Sequence, residues 1–295
     1  VEATRNGAYD FLAKPFSPAE LKNLIRKAAA RILYKRQAMA LAEEKKKLRF
    51  EFISILAHEL KSPLAAIQGY LNIVHEKILG EELAIYEPMI ERSLIRLEGM
   101  KKLIFDLLDM TRIESEQRKR EFTKVNICEH TKKAIETSAL AAKENNITIN
   151  FEGPENISMN GDVLEIDIIL NNLVSNAVKY NKENGKVNVN ISENENFVII
   201  KVSDTGIGMK EDEIKKLFRD FVRIKNEQTR NIMGSGLGLS TVNKLVQMYN
   251  GKISVQSEFS KGSVFTAELA KNLQNPKDDS GTQANNIMAK AEGAN

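Results

Sequence analysis

Asn172-Leu173-Val174-Ser175-Asn176-Ala177-Val178-Lys179-Tyr180 is the stretch from which the rest of the chain can be read. Positions 172, 176, 179 and 180 stand at i, i+4, i+7 and i+8, one stripe of a helix. Two amides, a lysine and a tyrosine form an unusual stripe beside apolar neighbours. They suit a phosphate chain with Mg²⁺, where amide oxygens bind the hard cation and lysine balances charge. A solvated polar face would look the same, so the surroundings must decide. The periodicity predicts a helix over 162–180. A helix at 126–144 and a strand at 147–151 precede it. Val187-Asn188-Val189-Asn190-Ile191 alternates as a half-buried strand, and a second strand follows at 197–202. A helix over 237–249 ends at Asn250-Gly251, where glycine can take the left-handed cap, and strands at 252–257 and 263–269 close the region. This order predicts an α/β sandwich with a mixed, largely antiparallel sheet.

Two glycine-bearing segments follow the stripe. Asp204-Thr205-Gly206-Ile207-Gly208 comes directly after a strand. Asp204 can accept a hydrogen bond from an amino group such as that of adenine, and the glycines let backbone approach a flat ring closely. Gly234-Ser235-Gly236-Leu237-Gly238-Leu239 leads into a helix, and its backbone amides suit phosphate. Its spacing is neither that of the P-loop nor that of the dinucleotide fingerprint. Between them, polar residues 226–232 without a clear period suggest a lid over the nucleotide, anchored by Phe218-Arg219-Asp220-Phe221.

The N-terminal half is different. Ser17-Pro18-Ala19-Glu20 has the marks of a helix start: a cap, a proline in the first turn and an early acid. Helical pattern then runs without Gly or Pro to Pro63. Leu41, Leu48 and Ile55 recur every seven residues with Phe52 beside them, a coiled-coil seam interrupted by Lys45. A second helix over 85–116 repeats Ile90, Leu97 and Ile104, supported by Leu94 and Leu108. Two such helices joined near Gly80 make a hairpin with a narrow core. Pairing two hairpins into a four-helix bundle would bury the remaining apolar stripes, which predicts a homodimer.

His58 lies within His58-Glu59-Leu60-Lys61-Ser62-Pro63-Leu64. On an ideal helix it sits roughly 80–90° from the Leu48/Phe52/Ile55 seam. Beyond Pro63 the stripe Leu64, Ile67, Leu71 and Val74 is expected to be displaced by about two residues as the proline bends the helix. The imidazole should therefore face outward. Glu59 can take a proton from one ring nitrogen, leaving the other as a nucleophile toward phosphorus. His75 and His130 carry no comparable context.

Composition excludes several classes. With 42% hydrophobic and 28% charged residues the chain is globular, and a net charge of +3 is too small to argue for nucleic acid. The single cysteine, Cys128, precludes an internal disulfide framework and suits a reducing compartment. Cys and His show no zinc spacing. No apolar run reaches about 18 residues, so no membrane span is expected, nor is a signal peptide. The sequence opens at Val1 amid structured pattern, which suggests a piece of a longer protein.

Taken in order, these segments resemble the sensor histidine kinases of two-component systems over about residues 40 to 270. The His58 segment is similar to their phosphoacceptor box, and Asn172–Tyr180 to their asparagine box. Asp204–Gly208, Phe218–Phe221 and Gly234–Gly238 are similar to the remaining nucleotide boxes. The resemblance implies ATP-dependent autophosphorylation of His58 and phosphoryl transfer to an aspartate of a response-regulator receiver. By it, Asn176 holds Mg²⁺ with Asn172 nearby, Lys179 meets phosphate, Tyr180 lines the pocket and Asp204 reads the adenine amino group. Gly206, Gly208, Phe221, Gly234, Gly236, Leu237 and Gly238 complete the ATP site, and Arg223 contacts the γ-phosphate during transfer. Ser62 stands where the family often carries Thr or Asn for dephosphorylating the partner, so serine leaves that activity open.

Gly7-Ala8-Tyr9-Asp10-Phe11-Leu12-Ala13-Lys14-Pro15-Phe16 resembles the last strand of a receiver domain, with Lys14 its phosphate-sensing lysine, as in hybrid kinases. The expected organisation is α+β and multidomain. A receiver remnant at 1–30 and a signalling coiled coil at 31–50 lead to a dimerisation and phosphotransfer hairpin at 51–120. An ATP-binding sandwich of the gyrase and histidine-kinase type follows at 121–271, then a disordered tail at 272–295. The resemblance implies a bacterial, cytoplasmic chain, its parent joined to a membrane through upstream domains. A gyrase-type ATPase would place glutamate where Asn172 stands, so the hydrolytic base is missing. A non-catalytic scaffold would show decayed nucleotide motifs, and none has decayed.

Overall fold

The computed structural model describes residues 10, 12, 14–114, 120–224, 226, 228, 229, 232 and 234–273. Half of the receiver-like stretch (residues 7–9, 11 and 13), the linker at 117–119 and the tail beyond 273 lie outside the described residues, as do the side chains of Lys45 and Leu48. The chain divides into two compact units, residues 1–93 and 94–295.

The first unit is dominated by α1, Pro18–His75. Its start is a complete capping box: Glu20 N–H donates to Ser17 Oγ at 3.2 Å, and Ser17 N–H donates to Glu20 Oε2 at 2.7 Å. These bonds hold the exposed Glu20 carboxyl below its ordinary range. The helix continues through Pro63, where the expected displacement of the stripe does not occur. Leu56 is buried and Leu60, Pro63, Ile67, Tyr70 and Val74 are half-buried, an unbroken 4-3-4-3-4 spacing across the proline. Leu64 and Leu71 are instead about half exposed, as are Leu41 and Ile55 of the expected seam. The proline removes one backbone bond, to the carbonyl of Glu59, but its ring fills a position in the stripe. Packing of that stripe keeps the register. A turn with a short 3₁₀ segment, Leu83–Ile85, then leads to α2, Glu87–Glu114. Tyr86 fixes this turn: its hydroxyl donates to Gly80 O at 2.8 Å and accepts from Leu79 N–H at 3.0 Å.

On α2 the buried residues are Ser93, Leu103 and Met110. The expected seam of Ile90, Leu94, Leu97, Ile104 and Leu108 stays exposed. Apolar surface therefore occupies two stripes of this helix, of which the expected one is the uncovered one.

The remainder of the second unit is the α/β sandwich. Its elements are β1 (Phe122–Asn126), α3 (Ile127–Glu144), β2 (Thr148–Glu152), β3 (Ser158–Asp162), α4 (Val163–Lys179), β4 (Lys186–Glu193) and β5 (Phe197–Asp204). After them come α5 (Glu211–Ile214), α6 (Gly238–Met248), β6 (Lys252–Glu258) and β7 (Gly262–Ala270). Five strands form a mixed sheet in the order β2-β4-β5-β7-β6, with β2 and β4 parallel and the other pairs antiparallel. Alternation places Val187, Val189 and Ile191 of β4, Val198, Ile200 and Val202 of β5, and Ala267 and Leu269 of β7 in the core. They share it with Ile166, Ile169, Leu170, Leu173 and Val174 of α4 and with Val242, Leu245 and Val246 of α6. Each fully buried aliphatic side chain contributes about 1.5–3 kcal/mol, so this layer fixes α4 and α6 on the sheet.

A second sheet, β1 with β3, was not expected from the sequence. Behind it, Arg120 makes a bidentate pair with the buried Glu165, with Nη2–Oε2 at 2.6 Å. Its guanidinium lies 4.5 Å from the Phe122 ring centre and 4.7 Å from that of Tyr249. Tyr249 is fully buried, and its hydroxyl accepts from Asp162 N–H at 2.9 Å. This cluster ties the start of the domain to α4 and α6.

Candidate functional site

Helix α4 begins at Asp162, whose side chain caps Leu164 and Glu165 N–H groups. Its apolar face packs on the sheet, which turns Asn172, Asn176 and Lys179 toward a cavity with Tyr180 at the helix end. The cavity encloses about 110 Å³. Asp204, Gly208, Arg223, Gly234, Gly236 and Gly238 line it with them. Ten of the sequence-derived residues thus meet around one space. Gly206 and Phe221 do not line it, and the Leu237 side chain is fully buried. The sequence reading missed Ile207, Met209, Leu217, Val222, Ile224, Leu239 and Phe265, which give the cavity its apolar wall, and Lys102 and Asp106 of α2, which give it charge.

Asp204 ends β5 and points one oxygen into the protein. Oδ1 accepts from Gly206 N–H at 2.8 Å and from Ser263 N–H at 3.2 Å. Burial pushes its carboxyl up to about 6, against the lowering effect of these two bonds. Lys179 is shifted the other way, down to about 8, by burial first and then by the cations Lys102 and Arg223, while Asp106 acts in the opposite sense. Its ammonium lies 5.0 Å from the Tyr180 ring centre. Burial raises the Tyr180 hydroxyl above its ordinary range.

The amides on α4 are available to different degrees. Asn172 Nδ2 donates to Ile168 O at 2.8 Å, so its oxygen is left facing outward. The Asn176 side chain makes no hydrogen bond among the described residues. Neither does any group of three or more His, Cys, Asp or Glu that could hold a metal occur among them. A cation here would find amide oxygens, which suits Mg²⁺, since that ion keeps water and phosphate as most of its ligands.

Glycine is required where the loops close on these groups. Gly238 opens α6 directly against Asn172, and a Cβ there would overlap Asn172 Oδ1. Gly236 has φ +73° and packs on the backbone of Phe221, itself at φ +59°. A bulky residue at positive φ is strained, and such strain concentrates at functional sites. Arg223 Nη2 donates to Ile232 O at 2.6 Å. Asn226 Oδ1 accepts from Gln228 and Thr229 N–H, both at 3.0 Å, so the described part of the expected lid is an ordered turn.

His58, Glu59 and Ser62 lie on α1 in the first unit. His58 and Ser62 are exposed, and Glu59 is half-buried.

Residues 161–273 match the family described as histidine kinase-, DNA gyrase B- and HSP90-like ATPase, and residues 48–116 match the His Kinase A (phospho-acceptor) domain. The sensor histidine kinase RcsC of Escherichia coli (strain K12) is 32% identical over 232 residues, covering 77% of this chain and 24% of RcsC. The autoinducer 2 sensor kinase/phosphatase LuxQ of Vibrio vulnificus (strain YJ016) is 32% identical over 234 residues, 76% of this chain and 27% of LuxQ. The chain thus spans about a quarter of the length of these relatives. Among solved structures, histidine kinase ThkA in complex with response regulator protein TrrA aligns with a TM-score of 0.64 at 25% identity, over 81% of this chain and 67% of that one. Histidine kinase AdeS of Acinetobacter baumannii shares the fold at 20% identity, with a TM-score of 0.59 over 73% of this chain and 98% of that one. With a phospho-acceptor helical region followed by an ATPase domain of this class, the chain belongs to the sensor histidine kinases.

Proposed function

We propose that this chain binds ATP in the cavity around Asp204 and transfers its γ-phosphoryl group to His58, then to an aspartate of a response-regulator receiver. The observation that carries the nucleotide reading is Asp204. Its Oδ1 is committed to two backbone N–H groups, which leaves Oδ2 to accept from the adenine amino group. Ile207, Met209, Leu217 and Phe265 offer apolar surface to the ring. Lys179, Lys102 and Arg223 face the phosphates.

Asn176, with Asn172 nearby, would hold Mg²⁺. The ion when bound neutralises charge on the phosphates. Gly234, Gly236 and Gly238 leave room for backbone N–H groups to meet them. A cavity of about 110 Å³ is below the ~300–1,000 Å³ usual for ligand pockets. Nucleotide entry therefore requires the wall to which Val222, Arg223, Ile224 and Thr229 contribute to part, and the Arg223–Ile232 bond must open as it does. Arg223 released in this way is free to meet the γ-phosphate.

At His58 one imidazole nitrogen attacks the γ-phosphorus as the bond to the β-phosphate oxygen breaks and ADP leaves. The ring proton passes to the Glu59 carboxylate. The phosphoryl group then moves from nitrogen to an aspartate oxygen of the receiver. ThkA was solved with a response regulator, which supports this class of partner. Exposed Ile53, Leu64 and Leu71 on α1 and Ile90, Leu94 and Leu97 on α2 support pairing of two copies. The domain limits given above, a receiver remnant at 1–30 and a cytoplasmic setting belong to the same proposal, and a dephosphorylating role for Ser62 stays open within it.

Incubation with γ-labelled ATP and Mg²⁺ tests the reading. Acid-labile, base-stable label should appear on the chain and vanish in His58→Gln. Label that survives this substitution would refute it.

A further inference from the structure

We propose that Asp106 is a built-in competitor for the nucleotide's phosphates: its carboxylate holds the glycine-rich loop that a triphosphate must take from it. The inference rests on the nucleotide reading. Ser235, between Gly234 and Gly236, donates its hydroxyl to Asp106 Oδ2 at 2.5 Å. The same hydroxyl accepts from Leu237 N–H at 3.1 Å, so the carboxylate also fixes the start of α6. Both partners belong to the second unit.

The position of the carboxylate matters as much as its bond. Lys102, Asp106, Asn172 and Lys179 line both the cavity and a wider adjoining groove bounded by α2, α3 and α4. Asp106 thus stands where the two spaces meet, beside the amides and the lysine assigned to the phosphates. Among the described residues, Asp106 and Asp204 are the only acidic ones lining the cavity. Asp204 is committed to the adenine end. At the other end, among the described residues, the cations Lys102, Lys179 and Arg223 face the carboxylate of Asp106, which helps to keep Lys179 charged. An anion on a serine within a glycine loop, with lysines around it, reproduces the setting a phosphate oxygen would have.

Two anions cannot share that setting, so a triphosphate binds only after the Asp106–Ser235 bond breaks. Nucleotide affinity then depends on where α2 stands, and any input that draws α2 away from the loop raises affinity without touching the nucleotide.

Equilibrium titration of the full chain with Mg·ATP, and separately with adenosine, tests this. Loss of one charge-assisted hydrogen bond at a partly exposed site should tighten Mg·ATP binding about 3- to 10-fold in Asp106→Ala. Adenosine, lacking phosphate, should bind as it does to the parent chain. Asp106→Asn, which keeps the shape and removes the charge, should move in the same direction by less. Unchanged or weaker Mg·ATP binding in both variants, at an unaltered melting temperature, overturns the proposal. Equal tightening toward adenosine does so too, because it would mean easier opening rather than competition. If the parent chain binds neither ligand, the nucleotide reading itself falls and this inference with it.

Discussion

Acidification should weaken adenine binding through Asp204 alone, and the size of the effect follows from its surroundings. Its carboxyl is held near 6 by burial, against an ordinary 3.8. Gly206 and Ser263 N–H groups occupy Oδ1, so a proton taken up at low pH goes to Oδ2. That oxygen would then present a donor to the adenine amino group, itself a donor. The apparent dissociation constant scales as one plus the ratio of protonated to ionised carboxyl. It rises about 10-fold between pH 7 and pH 5 for a group titrating near 6, and by less than about 1.1-fold for one titrating at 3.8. Adenosine is the ligand to use, because it has no phosphate to titrate.

Asp204→Asn sharpens the test. With its oxygen toward Gly206 and Ser263, the amide nitrogen faces adenine; flipped, it faces two N–H groups. Either way two donors collide, so affinity should fall about 100-fold and lose its pH dependence. Stability runs in the opposite sense. A carboxyl raised on folding contributes stability that is fully present below 3.8 and is lost as pH rises through about 6. The unliganded domain should therefore lose up to about 3 kcal/mol from this group on going to neutral pH, and Asp204→Asn should not. A flat adenosine affinity from pH 7.5 to 5 would refute the whole chain of reasoning.

Gly238→Ala should leave the melting temperature within a few degrees, because a residue in the first turn of α6 gains helix propensity of about 1 kcal/mol against its overlap with Asn172. Its Mg·ATP affinity should fall about 10-fold; unaltered binding would mean that this close approach is not part of the site. Lys179, titrating near 8, is about half protonated at pH 8 and should take up about half a proton when phosphates bind. Calorimetry in two buffers of different ionisation heat reads that uptake, and Lys179→Met should abolish it. Arg120→Leu leaves Glu165 charged and without its cation at 2% side-chain exposure, and should cost about 3–5 kcal/mol in denaturant unfolding. Adding Glu165→Leu should recover most of that loss, and no recovery would place the cost in the aromatic stacking instead.

Residues that repeat were legible in the sequence, and residues that meet across the fold were not. The alternation at 187–191 and the 3.6-residue stripe at 172–180 arise from one face packing on a core, so each names its own element. Ser158-Met159-Asn160-Gly161-Asp162 offers no such signal, because Asn, Gly and Asp are poor strand residues. It becomes a strand through its register with Phe122–Asn126 and through the Tyr249 hydroxyl that accepts from Asp162 N–H. Lys102 and Asp106 were invisible for a related reason. Charged residues on a long helix read as a solvated face, and only the tertiary fold brings them to the cavity. The glycine loops were found because their constraint is local: a backbone that must come close needs a residue without a Cβ.

The outward position of His58 shows how a correct expectation can rest on the wrong cause. A bend at Pro63 is not needed. On an ideal helix at 100° per residue, His58 lies about 120–180° from Leu56, Leu60, Pro63, Ile67, Tyr70 and Val74, the covered stripe of α1. Ile53, Leu64 and Leu71, the exposed apolar stripe, lie about 120–140° from it on the other side. Both stripes can therefore be covered, one by packing within the chain and the other by a second copy, without either reaching the imidazole. Apolar stripes confined to one half of a helix leave the other half for chemistry. Proline adds a local effect of another kind, since it frees the carbonyl of Glu59, the residue proposed to take the proton from His58. The heptad thus sets where the histidine points, and the proline alters only the backbone beside it.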